Sequence, residues 1–239
     1  IITRWSPVQG ETFQAYLTNA PSNVYVDGGP AWGLRRASSL QSLQPGTWWW
    51  SSNLLYVWLS DGSAPSQHRI EAALRPAGFY VNTGNGKSFS YITVSGLAIR
   101  QTAGWGIYFH NWGSTAPFSR IVLTGNIITQ TGEGLIDSGL YHNQIEIMDE
   151  TRPLSSGGSE ISNNLLSFCG GHNCIQVHEM GGVLISGNNV SQWNHNGIDA
   201  KDASGTIVER NYVHDQTRSG AAFYTECDHA SCSITWQQN

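Results

Sequence analysis

In the stretch "GIDAKDAS" (residues 197–204), Asp199, Lys201 and Asp202 fall within four positions of a chain in which 12% of residues are charged. A lysine between carboxyls can serve as a base if its surroundings lower its proton affinity. Two carboxyls at a fixed separation can act as acid and base, or as acid and nucleophile, on a glycosidic bond. Two that are crowded together need a raised pKa or a cation between them. His178 and Glu179 precede this cluster, and Glu226 follows it, at intervals of about one structural repeat.

Those intervals come from a repeat that starts near residue 92. The segments "VSGLAIRQT", "LTGNIITQT", "ISNNLLSFC", "ISGNNVSQW" and "VERNYVHDQ" superpose with Leu97, Asn126, Asn164, Asn188 and Asn211 as equivalent positions, spaced by 29, 38, 24 and 23 residues. A second short strand follows each: "GIYFHN", "GLIDSG", "CIQVHE", "GIDAKD" and "AAFYTE". A period of this length, punctuated by Gly and Asn and holding two short alternating strands, describes a solenoid. Leucines at fixed offsets are lacking, and a propeller blade needs about 40 residues. A parallel β-helix remains, with equivalent residues stacked at ~4.8 Å. The asparagine column then forms a structural ladder at a bend. The longer intervals are excursions from single coils, with "NQIEIMDETRPLSSGGS" (residues 143–159) the clearest.

Strand alternation assigns the facing of each side chain. Ile198 and Ala200 point inward, Asp199 and Lys201 outward, and Asp202 occupies the turn. The same rule turns Tyr108, His110, Ile136, Ser138, Gln176, His178, Phe223 and Thr225 outward. It gives a turn column of Asn111, Gly139, Glu179, Asp202 and Glu226. One face thereby gathers His110, His178, Glu179, Asp199, Lys201, Asp202 and Glu226.

Composition agrees with an all-β chain of 239 residues: 27 Gly and a net charge of −5, which argues against a nucleic-acid footprint. No apolar run approaches the length of a membrane span. Four cysteines form two short clips, Cys169/Cys174 and Cys227/Cys232. Disulfides in an oxidising compartment are the simpler reading; zinc competes because His172 and His229 lie inside the clips. The ten Trp include Trp48, Trp49, Trp50, Trp58, Trp105, Trp112 and Trp193. Those left exposed are platforms for sugar rings.

On the repeated segments just quoted, the chain resembles the right-handed parallel β-helix family, the pectate-lyase-like superfamily of secreted polysaccharide lyases and glycoside hydrolases. The resemblance covers residues 92–239 as coils and takes residues 1–91 as a β-rich N-terminal insertion with partial coils. It implies a secreted or periplasmic protein with a polysaccharide partner. "GIDAKDAS" is similar to lysine-bearing coils of β-helix lyases, which makes Lys201 the base of a β-elimination on a uronic-acid glycan. Asp199, Asp202, Glu226 and His178 join it as catalytic candidates. Trp105, His110, Trp112, Trp193 and Arg218 are the substrate-binding candidates. Calcium is the implied cofactor, with Glu179 and Asp202 as ligands and Asp137 and Asp199 as further candidates. Ala222 stands where one lyase group has an arginine, and the Gly-His-Gly of pectin hydrolases is missing.

Three readings follow: a lyase, which the lysine between acids favours; a glycoside hydrolase using paired carboxyls; and a non-catalytic carbohydrate-binding scaffold. The last segment, "CSITWQQN", aligns with the start of another coil. Further C-terminal coils or a capping subunit are expected beyond it.

Overall fold

The computed structural model describes residues 1–29, 32–83, 87–112, 117–132, 142–150, 157–218, 220–228 and 232–239. The chain divides into two compact units, Ile1–Arg75 and Pro76–Asn239.

The first unit has a mostly antiparallel sheet of β1 (Ser6–Gln9), β2 (Thr12–Tyr16), β4 (Arg35–Arg36), β5 (Thr47–Ser51) and β6 (Leu54–Trp58), in the order β1-β2-β6-β5-β4. A separate pair joins β3 (Val24–Val26) to β7 (Ile70–Ala72). Alternation in β5 and β6 sends Trp48, Leu55 and Val57 into a core with Leu17, Val24, Leu34 and Ile70. The Trp48 indole donates to the Leu34 carbonyl at 3.1 Å, so its polar edge is satisfied inside that core.

The second unit is a parallel β-helix whose regular strands begin at Ala77, ahead of the point where the repeat becomes visible in the sequence. Its first coils run β8 (Ala77–Thr83), β9 (Ser90–Ser95), β10 (Ala98–Arg100), then β11 (Trp105–Asn111), β12 (Ser119–Thr124), β13 (Ile127–Thr131). The next are β14 (Ile145–Asp149), β15 (Ser159–Ser162), β16 (Leu165–Cys169), then β17 (Ile175–His178), β18 (Val183–Ser186), β19 (Asn189–Trp193). The last are β20 (Ile198–Lys201), β21 (Thr206–Glu209), β22 (Tyr212–His214), then β23 (Phe223–Glu226) and β24 (Ile234–Gln237). The first five coils each supply one strand to each of three parallel sheets and the last supplies two, giving the orders β8-β11-β14-β17-β20-β23, β9-β12-β15-β18-β21-β24 and β10-β13-β16-β19-β22. The inward residues form one continuous column of branched side chains that includes Ile107, Ile121, Ile147, Ile161, Val177, Ile185 and Ile198.

The asparagine column is a ladder, as its spacing implied. Asn164 Oδ1 accepts from the backbone N–H and Nδ2 of Asn126, at 3.0 Å each. Asn164 in turn donates to Asn188 Oδ1 and to the Leu123 carbonyl. Asn188 repeats this with Asn211, and Asn211 with Asn239. The residue before each ladder Asn is left-handed, with φ of 64° at Gly125, 53° at Asn163 and 65° at Gly187. This explains the Gly and Asn that punctuate the repeat. Gly197 is required for space instead: a Cβ there would lie 2.5 Å from Val213 Cγ1 and 2.6 Å from the Ala222 carbonyl.

Both cysteine clips are closed as disulfides, Cys169–Cys174 and Cys227–Cys232, which removes the zinc reading of the clips. Among the described residues, no helix is long and apolar enough to cross a membrane.

Two registers differ from the expectation. In the third coil the sheet position next to β11 belongs to β14, within the stretch expected to be a loop, and not to "GLIDSG". Ile136, Asp137, Ser138 and Gly139 lie outside the described residues. The outward places assigned to Ile136 and Ser138 are filled by Glu146 and Met148, and Asp149 takes the turn assigned to Gly139. In the last coil the register is one residue off. Phe223 pairs with Ile198 and packs on the core, so Tyr224 and Glu226 face outward beside Asp199 and Lys201. Because strand alternation has period two, a slip of one residue exchanges the two faces.

Candidate active site

The outer face of the β8–β23 sheet carries two columns. One reads Tyr80, Tyr108, Glu146, Gln176, Asp199, Tyr224; the other reads Asn82, His110, Met148, His178, Lys201, Glu226. Between them opens a cleft of about 540 Å³ whose lining includes Glu146, Gln176, His178, Asp199, Lys201 and Glu226. His172, His195, Met148 and Tyr224 complete it.

A second asparagine ladder sets the carboxyls in place. Asn143 Oδ1 accepts from the Asn173 N–H at 2.8 Å, and Asn173 Oδ1 accepts from the Asn196 N–H at 3.1 Å. The side-chain amides of this ladder reach the cleft. Asn143 Nδ2 donates to Glu146 Oε2 at 3.0 Å and to Gln176 Oε1 at 2.7 Å. Asn173 Nδ2 donates to Asp199 Oδ2 at 3.0 Å, and Gln176 Nε2 donates to the same oxygen at 3.2 Å. The Trp105 indole donates to Glu146 Oε2 at 2.5 Å. Glu146 and Asp199, two coils apart, are thus joined through Asn143 and Gln176.

Both carboxyls are nearly closed to solvent, 5% exposed for Glu146 and 3% for Asp199. Burial pushes Glu146 up to about 7 against the lowering pull of Asn143 and Trp105. Burial does the same to Asp199, also to about 7, against Gln176, Lys201 and Asn173. Asp199 Oδ1 is buried without a hydrogen-bond partner, and a protonated oxygen occupies such a position at the least cost. Burial thus raises both carboxyls toward neutrality, the range in which a side chain can act as acid or base.

Lys201 is placed on the face as expected, yet its electrostatics run opposite to those of a base. Its Nζ lies 2.8 Å from Asp228 and 3.0 Å from Glu226. Asp228 first, then Glu226, hold its pKa above the ordinary lysine value. His178 is half-buried, its Nε2 is 3.9 Å from Glu179, and burial holds it below the usual histidine value.

Glu179 and Asp202 occupy the turn after the strand, both buried and both left-handed, at φ 55° and 48°. With His178 they offer three ligand atoms within 4.8 Å of one another. Asp202 Oδ1 already accepts from the Asp228 N–H at 2.8 Å. One imidazole and two carboxylates place a nitrogen beside the oxygens of this set, whereas calcium takes six to eight oxygens, waters among them.

The aromatic candidates separate. Trp105 stays at the cleft as a donor to Glu146. His110 is buried, 2.8 Å from the Tyr108 hydroxyl and 3.2 Å from Glu150. Trp112 is 60% exposed and meets the His110 ring edge-on at 5.5 Å. Trp193 is not on this face: it is 3% exposed, on β19, inside the core. Its register partner is Cys169, an inward position of another sheet, so it offers no platform to a sugar. Arg218 is exposed after β22 and is not part of the cleft lining. His229 and Asp137 lie outside the described residues.

Glu146, His172 and His195 are cleft residues that the sequence reading missed. A signal for them exists in "HNQI", "HNCI" and "HNGI", starting at residues 142, 172 and 195. Each places a His, a ladder Asn and an inward Ile at the same point of its coil. The His172 and His195 rings stack at 4.2 Å.

A family model described as the right handed beta helix region matches residues 153–230. A solved structure of the complex of XylC with xylose aligns with a TM-score of 0.65 at 13% identity. The alignment covers 95% of this chain and 51% of that one, so the chain spans about half the length of XylC. The search of curated proteins gave no match. Stacked parallel sheets, the matched repeat and the shared architecture together make this chain a right-handed parallel β-helix protein.

Proposed function

We propose that the protein is a secreted glycoside hydrolase that cleaves a polysaccharide with Glu146 and Asp199 as its acid–base pair. One observation carries this reading: two buried carboxyls, each held to about 7, are fixed on the same cleft two coils apart. Two coils correspond to ~9.6 Å at the backbone, close to the ~6.5–9.5 Å at which paired carboxyls leave room for a water. Near neutral pH the pair holds one proton for much of the time. The protonated carboxyl gives its proton to the glycosidic oxygen as the bond to the anomeric carbon breaks. The ionised one takes a proton from water as the new carbon–oxygen bond forms, which inverts the anomeric centre.

The xylose of the XylC complex supports a glycan substrate, and the two disulfides suit an oxidising, extracellular setting. The lyase reading needs a neutral Lys201, and the double ion pair to Asp228 and Glu226 opposes that.

The test incubates the protein with neutral and uronic glycans, with and without a chelator. New reducing ends of inverted anomeric configuration, without ultraviolet-absorbing unsaturated ends, support hydrolysis by this pair. Unsaturated products that vanish in Lys201→Ala reinstate elimination.

A further inference from the structure

The first unit holds a second constellation that the glycosidase reading does not use. After β6, Asp61 and Gly62 turn the chain, and Asp61 Oδ1 accepts from the Ser63 N–H at 3.0 Å. The short helical turn Pro65–Gln67 then carries His68 back toward β7. Pairing of β7 with β3 brings Asp27 alongside, where its N–H donates to the Arg69 carbonyl at 2.9 Å. Asp27 Oδ1 accepts from the Arg69 N–H at 2.8 Å, which leaves Oδ2 aimed at the imidazole. His68 Nδ1 lies 2.7 Å from Asp27 Oδ2, and His68 Nε2 lies 2.7 Å from Ser63 Oγ. A hydroxyl, an imidazole and an orienting carboxylate are thus in series at hydrogen-bond distance, as an activated nucleophile requires. Beside them is a cavity of about 390 Å³, with Val26, Leu34 and Leu59 as apolar wall and Asp27, Asp61 and His68 as polar edge.

We infer that Ser63, His68 and Asp27 form a serine esterase site for short acyl esters, independent of the β-helix cleft. Asp27 holds the imidazole proton on Nδ1, so the Nε2 lone pair faces the hydroxyl. In the resting arrangement the single Ser63 hydroxyl proton is donated to Asp61 Oδ1 at 2.6 Å, with Asp61 Oδ2 3.6 Å from His68 Nε2, and rotation about the Cβ–Oγ bond turns that proton to Nε2. Ser63 Oγ attacks the ester carbonyl carbon while its proton passes to His68 Nε2. The carbon–oxygen bond to the alcohol then breaks, and the leaving oxygen takes the proton back from Nε2. Water, deprotonated by His68, cleaves the acyl-serine and restores the hydroxyl. The small, partly apolar cavity suits an acetyl group better than a long chain.

The experiment exposes the full chain to a fluorophosphonate probe and, separately, to p-nitrophenyl acetate. One equivalent of label on the Ser63 peptide is expected, with ester turnover reduced at least ~100-fold in Ser63→Ala and His68→Ala variants that melt with wild type. Glu146→Gln should leave that turnover unchanged, which separates this site from the glycosidase reading. Absence of label at Ser63, or equal ester turnover by wild type and Ser63→Ala, overturns the inference.

Discussion

Two groups of acids share the outer face of one sheet and have opposite fates. Glu226 and Asp228 lie at the wetter end, where the Lys201 ammonium neutralises them. Glu146 and Asp199 lie buried in the cleft lining and meet amide and indole donors. A fixed cation makes the first group a closed ion-pair cluster, in which Asp228 and Glu226 hold the proton on the lysine. Burial with neutral donors gives the second group the mobile proton. The conspicuous run of charge in "DAKD" is therefore split: Asp199 is buried among neutral donors and serves the proposed hydrolysis, while Lys201 is held in ion pairs beside it.

The largest effect that can break this contrast is on turnover. Glu146→Gln and Asp199→Asn should each lower kcat on a hydrolysed glycan about 10³-fold with little change in KM. Lys201→Ala should cost less than about tenfold. A reversed ranking would falsify the contrast.

The next effect is on stability and has a definite sign. Folded Glu146 keeps its proton up to about pH 7, whereas an unfolded glutamate releases it near ~4.3. Its stabilising contribution is therefore fully present below that lower value and is lost as pH rises through 7. Glu146→Gln should match wild type below about pH 4 and exceed it at pH 8 by on the order of 3 kcal/mol, read from urea midpoints.

The ladder that supports the sheet gives a smaller change. Asn164→Ala removes the acceptor for two Asn126 donors and the donor to the Leu123 carbonyl. The expected loss is about 2–3 kcal/mol, again from urea unfolding. Smallest is Trp105→Phe, which deletes one donor to Glu146 and should move the corresponding limb of the pH–rate profile upward by at most about one unit. A downward shift would show that the indole does not stabilise the carboxylate.

The fold was legible because its periodic signal is chemically simple: a left-handed residue, then an asparagine, at each bend. Asn126, Asn164, Asn188 and Asn211 could be aligned by eye, and their hydrogen bonds follow that alignment. The site was only partly legible. Asp199, Lys201 and His178 were placed on the correct face by alternation within strands that directly follow a ladder step. Glu146 was hidden because a long excursion precedes its strand, and "GLIDSG" offered an alternating segment at about the expected offset. Trp193 was misread for a different reason: sequence spacing does not say which of three sheets a tryptophan serves. The raised proton affinity of Asp199 has no sequence signature, since it depends on burial created by neighbours 23 or more residues away.

The central claim concerns the protonation of two particular carboxyls, and a spectroscopic titration reads it without any substrate. Carbonyl ¹³C NMR of protein labelled at Asp and Glu, followed from pH 4 to 9, should show two carboxyls titrating near 7. Glu146→Gln should remove one of them and Asp199→Asn the other. Titration of every carboxyl below about pH 5, unaltered in the 6–8 range by either substitution, would contradict the account.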